Sequence, residues 1–250
     1  MCFELDSLPP VPAIAGASLS YEELVLEAAD GNRFAASAAM PEEPSRTGIV
    51  VLPDVRGLYR FYEELALRFA ERGHAAVAID YFGRSAGIGK RDDGFPYQEH
   101  VAQTTQEGIQ ADTGAAVAWL RARGCEAVFT VGFCFGGRNS WLAAASGHGL
   151  AGAVGFYGGP GERNGQPGPT QRARELAAPI LALQAGDDAN ITPELNAAFE
   201  AALREAGVEH ELVVYDGAPH SFFDRRYEEH AEASADAWSR VLAFVDSHSA

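Results

Sequence analysis

Cysteine is scarce in this chain, with Cys2, Cys125 and Cys134 the only three among 250 residues. An odd and low number does not provide the framework of paired cysteines found in small secreted proteins. The first residues have no basic stretch followed by a long apolar run, so a signal peptide is not expected. We therefore expect a cytoplasmic protein, in which Cys125, in a loop before a strand, is a small packing residue.

Long apolar segments and an excess of positive charge are also missing. No stretch approaches the roughly 18 consecutive apolar residues of a membrane helix. The formal net charge is −16, which argues against nucleic acid and anionic membrane surfaces as partners. No His, Cys and Glu side chains have metal-ligand spacing, and no Walker motif is present, so no cofactor is implied. A small anionic substrate would need a local basic pocket within an acidic surface.

The hydrophobic pattern indicates alternating strands and helices behind an irregular arm of residues 1–20. The turn signal Asp30-Gly31-Asn32 separates two strand-like runs and predicts a β-hairpin. Beyond it, buried strands are predicted at 48–52, 75–80, 127–131, 153–157, 179–183 and 211–215, with helices at 61–72, 107–123, 193–206 and 227–247. Residues 83–98, rich in Gly, Pro and charge, are expected to form a long loop. The order predicts one α/β domain over 1–250, a mostly parallel sheet with helices on both faces and the hairpin as its antiparallel edge.

One turn, residues 132–136, has the pattern Gly-x-Cys-x-Gly between a strand-like and a helix-compatible run. It matches the nucleophile elbow of α/β-hydrolases with Cys in place of Ser. Gly132 and Gly136 lack the Cβ atoms that would clash in so sharp a turn. The helix N-terminus favours a thiolate at Cys134, and the N–H of Phe135 can serve as an oxyanion donor. The alternative is a glycine-rich turn that holds a small buried thiol.

A thiol nucleophile needs a base, and the base needs an orienting acid. His220 follows the last predicted strand, which is where α/β-hydrolases place their histidine. Asp187 and Asp188 follow the strand 179–183, in the place of the acid, and spacing alone does not choose between them; an Asp-rich turn is the alternative. The N–H of Val55, after the strand 48–52, is the candidate for a second oxyanion donor. The other six histidines are expected to be solvated or structural.

Taken together, these residues resemble the dienelactone hydrolase family, the carboxymethylenebutenolidases, from about Gly48 to the C-terminus. The motifs that carry the resemblance are 132–137, 186–188 followed by Ile191, and 218–222. The resemblance implies an α/β-hydrolase fold with Cys134 as nucleophile and His220 as general base and acid. Aligned on Ile191, the family's acid falls on Asp188.

The resemblance also implies residues around the substrate. Family members that open dienelactone carry a Glu, in contact with the resting Cys, where this chain has Asp54. An Arg that binds the substrate carboxylate corresponds to Arg84. The family has a second such Arg four residues after the histidine, and this chain has Asp224 at that position. The resemblance therefore leaves the neighbouring Arg225 or Arg226 to take the role of that second Arg.

A family tyrosine of the pocket corresponds to Tyr157. These features predict a hydrolase of an activated ester or lactone that acts through a thioester at Cys134. The expected substrate is a small molecule with or without a carboxylate, and the expected state is a monomer or small homo-oligomer. A thioesterase or broad carboxylesterase is the nearest alternative. A catalytically silent binding protein, or one that uses Cys134 as a redox-sensing thiol, is the alternative from another class.

Overall fold

The computed structural model describes residues 3–4, 6–92 and 94–249, so Cys2 lies outside the described residues. The strands are β1 (Leu19–Glu27), β2 (Arg33–Pro41), β3 (Thr47–Leu52), β4 (Ala75–Ile79), β5 (Ala127–Phe133), β6 (Gly152–Phe156), β7 (Ile180–Asp187) and β8 (His210–Pro219). The helices are α1 (Arg60–Ala70), α2 (Gly83–Ala86), α3 (Tyr97–Val101), α4 (Gln106–Arg121), α5 (Phe135–Ala143), α6 (Pro193–Ala206) and α7 (Ala231–Ser247).

The eight strands form one sheet in the order β1-β2-β4-β3-β5-β6-β7-β8. β2 is antiparallel to both β1 and β4, and every other neighbouring pair is parallel. β3 and β4 are buried along their whole length, which explains why their sequences are apolar apart from Thr47 at the start of β3. The predicted mostly parallel sheet with an antiparallel N-terminal hairpin is confirmed.

Helices cover the sheet on both faces and create two apolar cores. α1 and α7 contribute Phe61, Phe69 and Val241 to the core on one face. α4, α5 and α6 contribute Val117, Trp141 and Phe199 to the other. In the part of the chain that the structure describes, no helix combines the length and apolar character needed to cross a membrane.

The predicted long loop at 83–98 was wrong in one respect, because it contains the short helix α2 and the start of α3. A hydrogen bond from Ala86 N–H to the Phe82 carbonyl, at 2.7 Å, closes the helical turn. Arg91 further along is buried and pairs with Asp80 at 2.8 Å. The helical turn and the ion pair with Asp80, just after β4, give a defined structure to a segment whose Gly and Pro content predicts a loop.

The N-terminal arm has no helix or strand among its described residues before Leu19, but it is packed firmly against the body. Phe3 is 3% exposed and stacks on Phe61 with ring centroids 3.8 Å apart. Ser7 is fully buried, and its Oγ donates a hydrogen bond to Asp224 Oδ2 at 2.6 Å. The Leu8 carbonyl accepts from the N–H of Arg225 at 3.1 Å. The arm therefore braces the segment that follows His220.

Replacing Ser7 with Ala should destabilise the protein, because the buried Asp224 carboxylate loses a close donor. We expect the free energy of unfolding to fall by about 1–3 kcal/mol, the scale of such a loss. Urea denaturation measures it, with Ser18→Ala as the control, since Ser18 is an exposed serine of the same arm. Equal stability of the two variants would contradict a bracing role for the Ser7 contact.

Candidate active site

Cys134 stands in a strained backbone turn between β5 and α5. Its φ of 55° and ψ of −112° lie in a region that non-glycine residues seldom occupy. Its N–H donates to the Phe156 carbonyl at 3.0 Å. A Cβ at Gly132 would lie 2.0 Å from the carbonyl oxygen of Gly136, and one at Gly136 would lie 2.1 Å from that of Leu52. The turn therefore requires glycine at both positions, as the sequence pattern indicated.

His220 and Asp188 form a close pair. His220 Nδ1 lies 2.6 Å from Asp188 Oδ2, and the side chain of Asp188 is 1% exposed. The other carboxylate oxygen accepts from the N–H groups of Asn190 at 2.9 Å and Ile191 at 3.3 Å. Asp187, in contrast, is exposed at the end of β7. Of the two neighbouring carboxylates, Asp188 is the one in contact with the histidine.

The charge on His220 is set by its partners. Burial disfavours the protonated ring, but the hydrogen bond with Asp188, followed by a hydrogen bond with the Cys134 side chain and its negative charge, raises the pKa of His220 to about 9. Burial is the largest single influence on Asp188 and raises its pKa, but the hydrogen bond and charge of His220, together with the N–H groups of Asn190 and Ile191, lower the Asp188 pKa overall. Since Nδ1 is engaged by Asp188, Nε2 is the nitrogen that faces Cys134. An imidazolium and an adjacent carboxylate are thus favoured at neutral pH.

A cavity of about 560 Å³ opens beside the turn and brings five of the predicted site residues together. They are Val55, Cys134, Phe135, Tyr157 and His220. Tyr157 is 1% exposed, and its ring centroid lies 5.0 Å from that of His220. Phe135 is the first residue of α5, so its N–H has no carbonyl partner within the helix. Val55 lies in a turn closed by the N–H of Gly57 and the carbonyl of Asp54, at 3.2 Å.

Asp54 is buried next to this cavity, with 1% exposure. One carboxylate oxygen accepts from the Tyr59 hydroxyl at 2.9 Å, and the other accepts from the Arg56 N–H at 2.8 Å. Burial raises the pKa of Asp54 to about 6 in spite of the nearby Arg56 charge, and a negative charge on Cys134 raises it further. Asp54 is therefore within electrostatic reach of the cysteine.

The three arginines expected near the substrate do not line the cavity. Arg84 pairs with the buried Asp112 at 2.5 Å and with Asp30 at 2.6 Å. Arg225 is exposed and lines a different cavity, between the arm and α7. Arg226 pairs with Glu4 at 2.8 Å and Asp6 at 3.0 Å. The structure thus offers no contact between these arginines and a substrate at Cys134.

Two other arginines line the cavity and were missed by the sequence analysis. Arg138, in the first turn of α5, is 8% exposed and donates to the carbonyls of Gly159 at 3.0 Å and Pro167 at 3.2 Å. Arg163 lies in the loop after β6 that Arg138 holds. The position of Arg138, four residues after Cys134, was the available signal, because residues so spaced share one side of a helix.

The sheet topology, the elbow at Cys134 and the His220–Asp188 pair define the class of α/β-hydrolases. The model of the dienelactone hydrolase family matches residues 34–249. The chain therefore belongs to the dienelactone hydrolase family and is a hydrolase. Within the described residues, no group of three or more His, Cys, Asp or Glu side chains is arranged to hold a metal ion.

Known relatives agree with this assignment. A protein of Escherichia coli (strain K12) named "Putative carboxymethylenebutenolidase" is 31% identical over 202 residues, which cover 78% of this chain and 74% of the relative. The crystal structure of a "Putative Dienelactone Hydrolase" from Klebsiella pneumoniae is 29% identical, with a TM-score of 0.80, and covers 92% of this chain and 99% of that one. An acylaminoacyl peptidase of Pyrococcus horikoshii, at 14% identity and a TM-score of 0.73, covers 92% of this chain and 41% of that one and shares the fold.

Replacing Asp188 with Asn should lower the pKa of His220, because the carboxylate is the strongest of the contacts that raise it. The imidazole should then lose its proton at a lower pH than in the unmodified protein. Titration of the His220 ring by NMR measures the shift. Asp187→Asn is the matched control, since it removes a neighbouring exposed carboxylate. A shift of similar size in both variants would contradict a specific Asp188–His220 contact.

Proposed function

We propose that this hydrolase cleaves an activated ester or lactone through a thioester at Cys134, with His220 as acid and base and Asp188 as its orienting partner. The observation that carries the proposal is the 2.6 Å contact between Asp188 and His220 beside the elbow cysteine. A nucleophile, a base and an orienting acid are the parts that covalent acyl transfer requires. All three stand at the carboxyl ends of parallel strands, where ligands bind in open α/β sheets.

Acylation begins with the Cys134 sulfur as a thiolate and its proton on His220, the state that the raised pKa of His220 favours. The sulfur attacks the acyl carbonyl carbon and forms a C–S bond. The tetrahedral intermediate then collapses and breaks the C–O bond to the leaving group. The leaving oxygen takes the proton from His220 Nε2, which leaves a thioester and a neutral imidazole.

The negative oxygen of the tetrahedral intermediate needs donors that are already in place. The N–H of Phe135 at the start of α5 is the first, and the N–H of Val55 after β3 is the second. Both residues line the cavity with Cys134. Losing one such donor typically costs about 3–4 kcal/mol of transition-state stabilisation. The positive end of α5 favours negative charge at the same point.

Deacylation requires His220 to act as a base, which a pKa of about 9 would hinder. The hydrogen bond and the charge of Cys134 both contribute to that raised pKa. Acylation removes the charge and the thiolate, so the His220 pKa falls in the thioester. His220 can then take a proton from water, whose oxygen attacks the thioester carbonyl and expels the Cys134 thiolate. The acid product leaves, and His220 again carries the proton.

A thioesterase or a broad carboxylesterase would use the same sequence of steps. Thioesters belong among the activated acyl groups that this chemistry favours, so they form part of the proposed substrate range. A redox-sensing role for Cys134 would require neither an oriented histidine nor an acyl-sized cavity. The Asp188–His220 contact and the 560 Å³ cavity support hydrolysis instead.

Cys134→Ala should reduce kcat/KM for a p-nitrophenyl ester by about 10³-fold or more, as expected when a covalent nucleophile is lost. Iodoacetamide should inactivate the unmodified enzyme, with Cys134 as the alkylated residue in a peptide digest. Cys125→Ala serves as the control, because Cys125 is buried elsewhere. This variant should keep the activity of the unmodified enzyme and should still be inactivated by iodoacetamide. Survival of most activity in Cys134→Ala would rule out the proposed nucleophile.

The use of a sulfur nucleophile also predicts which acyl groups should react fastest. A thiolate leaves more readily than an alkoxide, so the intermediate from a plain alkyl ester should revert and expel Cys134. A phenyl ester should therefore turn over much faster than its ethyl ester, beyond their difference in intrinsic reactivity. Cys134→Ser should narrow this gap in any activity that remains, as measured by kcat/KM on the matched pair. Similar corrected rates for the two esters on the unmodified enzyme would show that the choice of Cys does not select the substrate.

A further inference from the structure

The loop 53–58, between β3 and α1, carries Val55, the second candidate oxyanion donor. Each of the other amides of 54–58 donates a hydrogen bond within the protein. Their acceptors are the Tyr62 hydroxyl for Asp54, the Asp54 carboxylate for Arg56, the Asp54 carbonyl for Gly57 and the Asp80 carboxylate for Leu58. Among the described residues, the Val55 N–H has no acceptor. This pattern leaves one N–H of the loop for a ligand in the cavity, which Val55 lines.

Asp80, the residue after β4, holds the end of this loop that leads into α1. Its side chain is fully buried, and it accepts four hydrogen bonds. One oxygen accepts from the Leu58 N–H at 3.2 Å and from Arg91 Nε at 3.3 Å. The other accepts from the Phe82 N–H at 2.9 Å and from Arg91 Nη2 at 2.8 Å. A Cβ at Gly57 would lie 2.5 Å from the first oxygen, so the carboxylate packs directly against the loop backbone.

Arg91 supplies the positive charge opposite Asp80 and binds the same end of the loop. Its side chain is 6% exposed. Its backbone N–H donates to the Leu58 carbonyl at 3.3 Å, and Nη2 also donates to the Gly87 carbonyl at 2.7 Å. Both backbone groups of Leu58 are therefore bonded to the Asp80–Arg91 pair. That pair fixes where the loop ends, three residues after Val55.

Tyr81 holds the other end of the loop and also contacts the residue that carries the first candidate donor. It is 2% exposed, and its hydroxyl donates to the Pro53 carbonyl at 2.9 Å. Its ring meets that of Phe135 edge to face, with the ring centroids 5.4 Å apart. One side chain therefore connects the two segments that carry the candidate oxyanion donors.

We propose that Asp80, Arg91 and Tyr81 are positioning residues for the oxyanion hole. Together they hold the N–H of Val55 where it can act with the N–H of Phe135 on one oxygen. This inference rests on the proposed function, since it requires an oxyanion formed at the elbow cysteine. A donor stabilises that oxygen only from about 2.7–3.1 Å, so a displaced loop lowers the rate more than it weakens substrate binding. None of the three positioning residues lines the cavity at the cysteine.

Asp80→Asn tests whether the carboxylate holds the loop. All the partners of Asp80 are donors, so an amide must turn its own N–H groups toward some of them, and the charge opposite Arg91 is lost. We expect kcat for phenyl hydrocinnamate to fall roughly 10-fold or more at nearly unchanged KM, because a transition-state donor is misplaced. Asp112→Asn is the matched control, since it removes another fully buried carboxylate, whose hydrogen bonds run to Arg84 and Asn32. The control should keep kcat.

A tetrahedral adduct gives a second measurement. Phenethyl trifluoromethyl ketone has the same acyl part as the ester. The thiolate adds to its carbonyl carbon, a C–S bond forms, and the π electron pair moves to the oxygen, which becomes negative. The Ki of this ketone should rise in Asp80→Asn by the factor by which kcat/KM falls. Tyr81→Phe, which keeps the ring and loses the hydroxyl, should shift both values in the same direction by a smaller factor and serves if Asp80→Asn folds poorly.

Unchanged kcat in both variants, equal losses in Asp80→Asn and Asp112→Asn, or a higher KM at constant kcat would overturn the positioning role. Amide hydrogen exchange on the free protein separates this result from a failure of the proposed hydrolysis. Faster exchange at the Leu58 N–H in Asp80→Asn, but not in Asp112→Asn, supports the hold on the loop even if no ester is cleaved. Unchanged exchange, with ester hydrolysis intact in Asp80→Asn, overturns the inference and leaves the hydrolase proposal standing.

Discussion

The turn at Cys134 is the constraint on which the rest of the site depends. The positive φ of Cys134 is possible only because Gly132, near the end of β5, and Gly136, near the start of α5, have no Cβ atoms to clash. The same closeness brings the carbonyls of Leu52 and Pro53, at the end of β3, against the start of α5. Val55 after β3 and Phe135 in α5 are therefore neighbours as a consequence of the turn. One local requirement thus positions the candidate nucleophile and the two candidate oxyanion donors.

The surrounding packing is strong enough to hold that strain. A residue in such a backbone conformation costs about 1–3 kcal/mol. Trp141 of α5 is fully buried, contacts Phe199, and donates from its indole nitrogen to the Leu181 carbonyl at 3.1 Å. Ser140 of the same helix donates to the hydroxyl of Thr130 at 2.8 Å. Since the loss of one buried aromatic costs about 3–5 kcal/mol, helix docking outweighs the strain at Cys134.

The sequence indicated the features that depend on local spacing or on the order of elements. The elbow and the candidate His220 belong to this group. The tight turn requires glycines at a fixed spacing, and the histidine follows the last strand in a fixed chain order, so both can be recognised in the sequence. Which of the two neighbouring aspartates faces His220 depends on where β7 ends, and residue types alone do not determine that. Arg84 shows the limit more clearly, because Asp112, 28 residues away, pairs with it across the fold. An ion pair between distant segments has no sequence spacing by which to recognise it.

The buried carboxylate of Asp54 influences the charge states of the groups around Cys134. Its carboxylate is anchored by Tyr59 and Arg56, and burial is the largest cause of its raised pKa of about 6. The negative charge of Cys134 disfavours ionisation of Asp54, and by reciprocity an ionised Asp54 disfavours the thiolate. The imidazolium of His220 opposes that repulsion, because it stabilises the same thiolate. The charge on the Cys134 sulfur is thus set by competition between the buried acid Asp54 and the partly buried base His220.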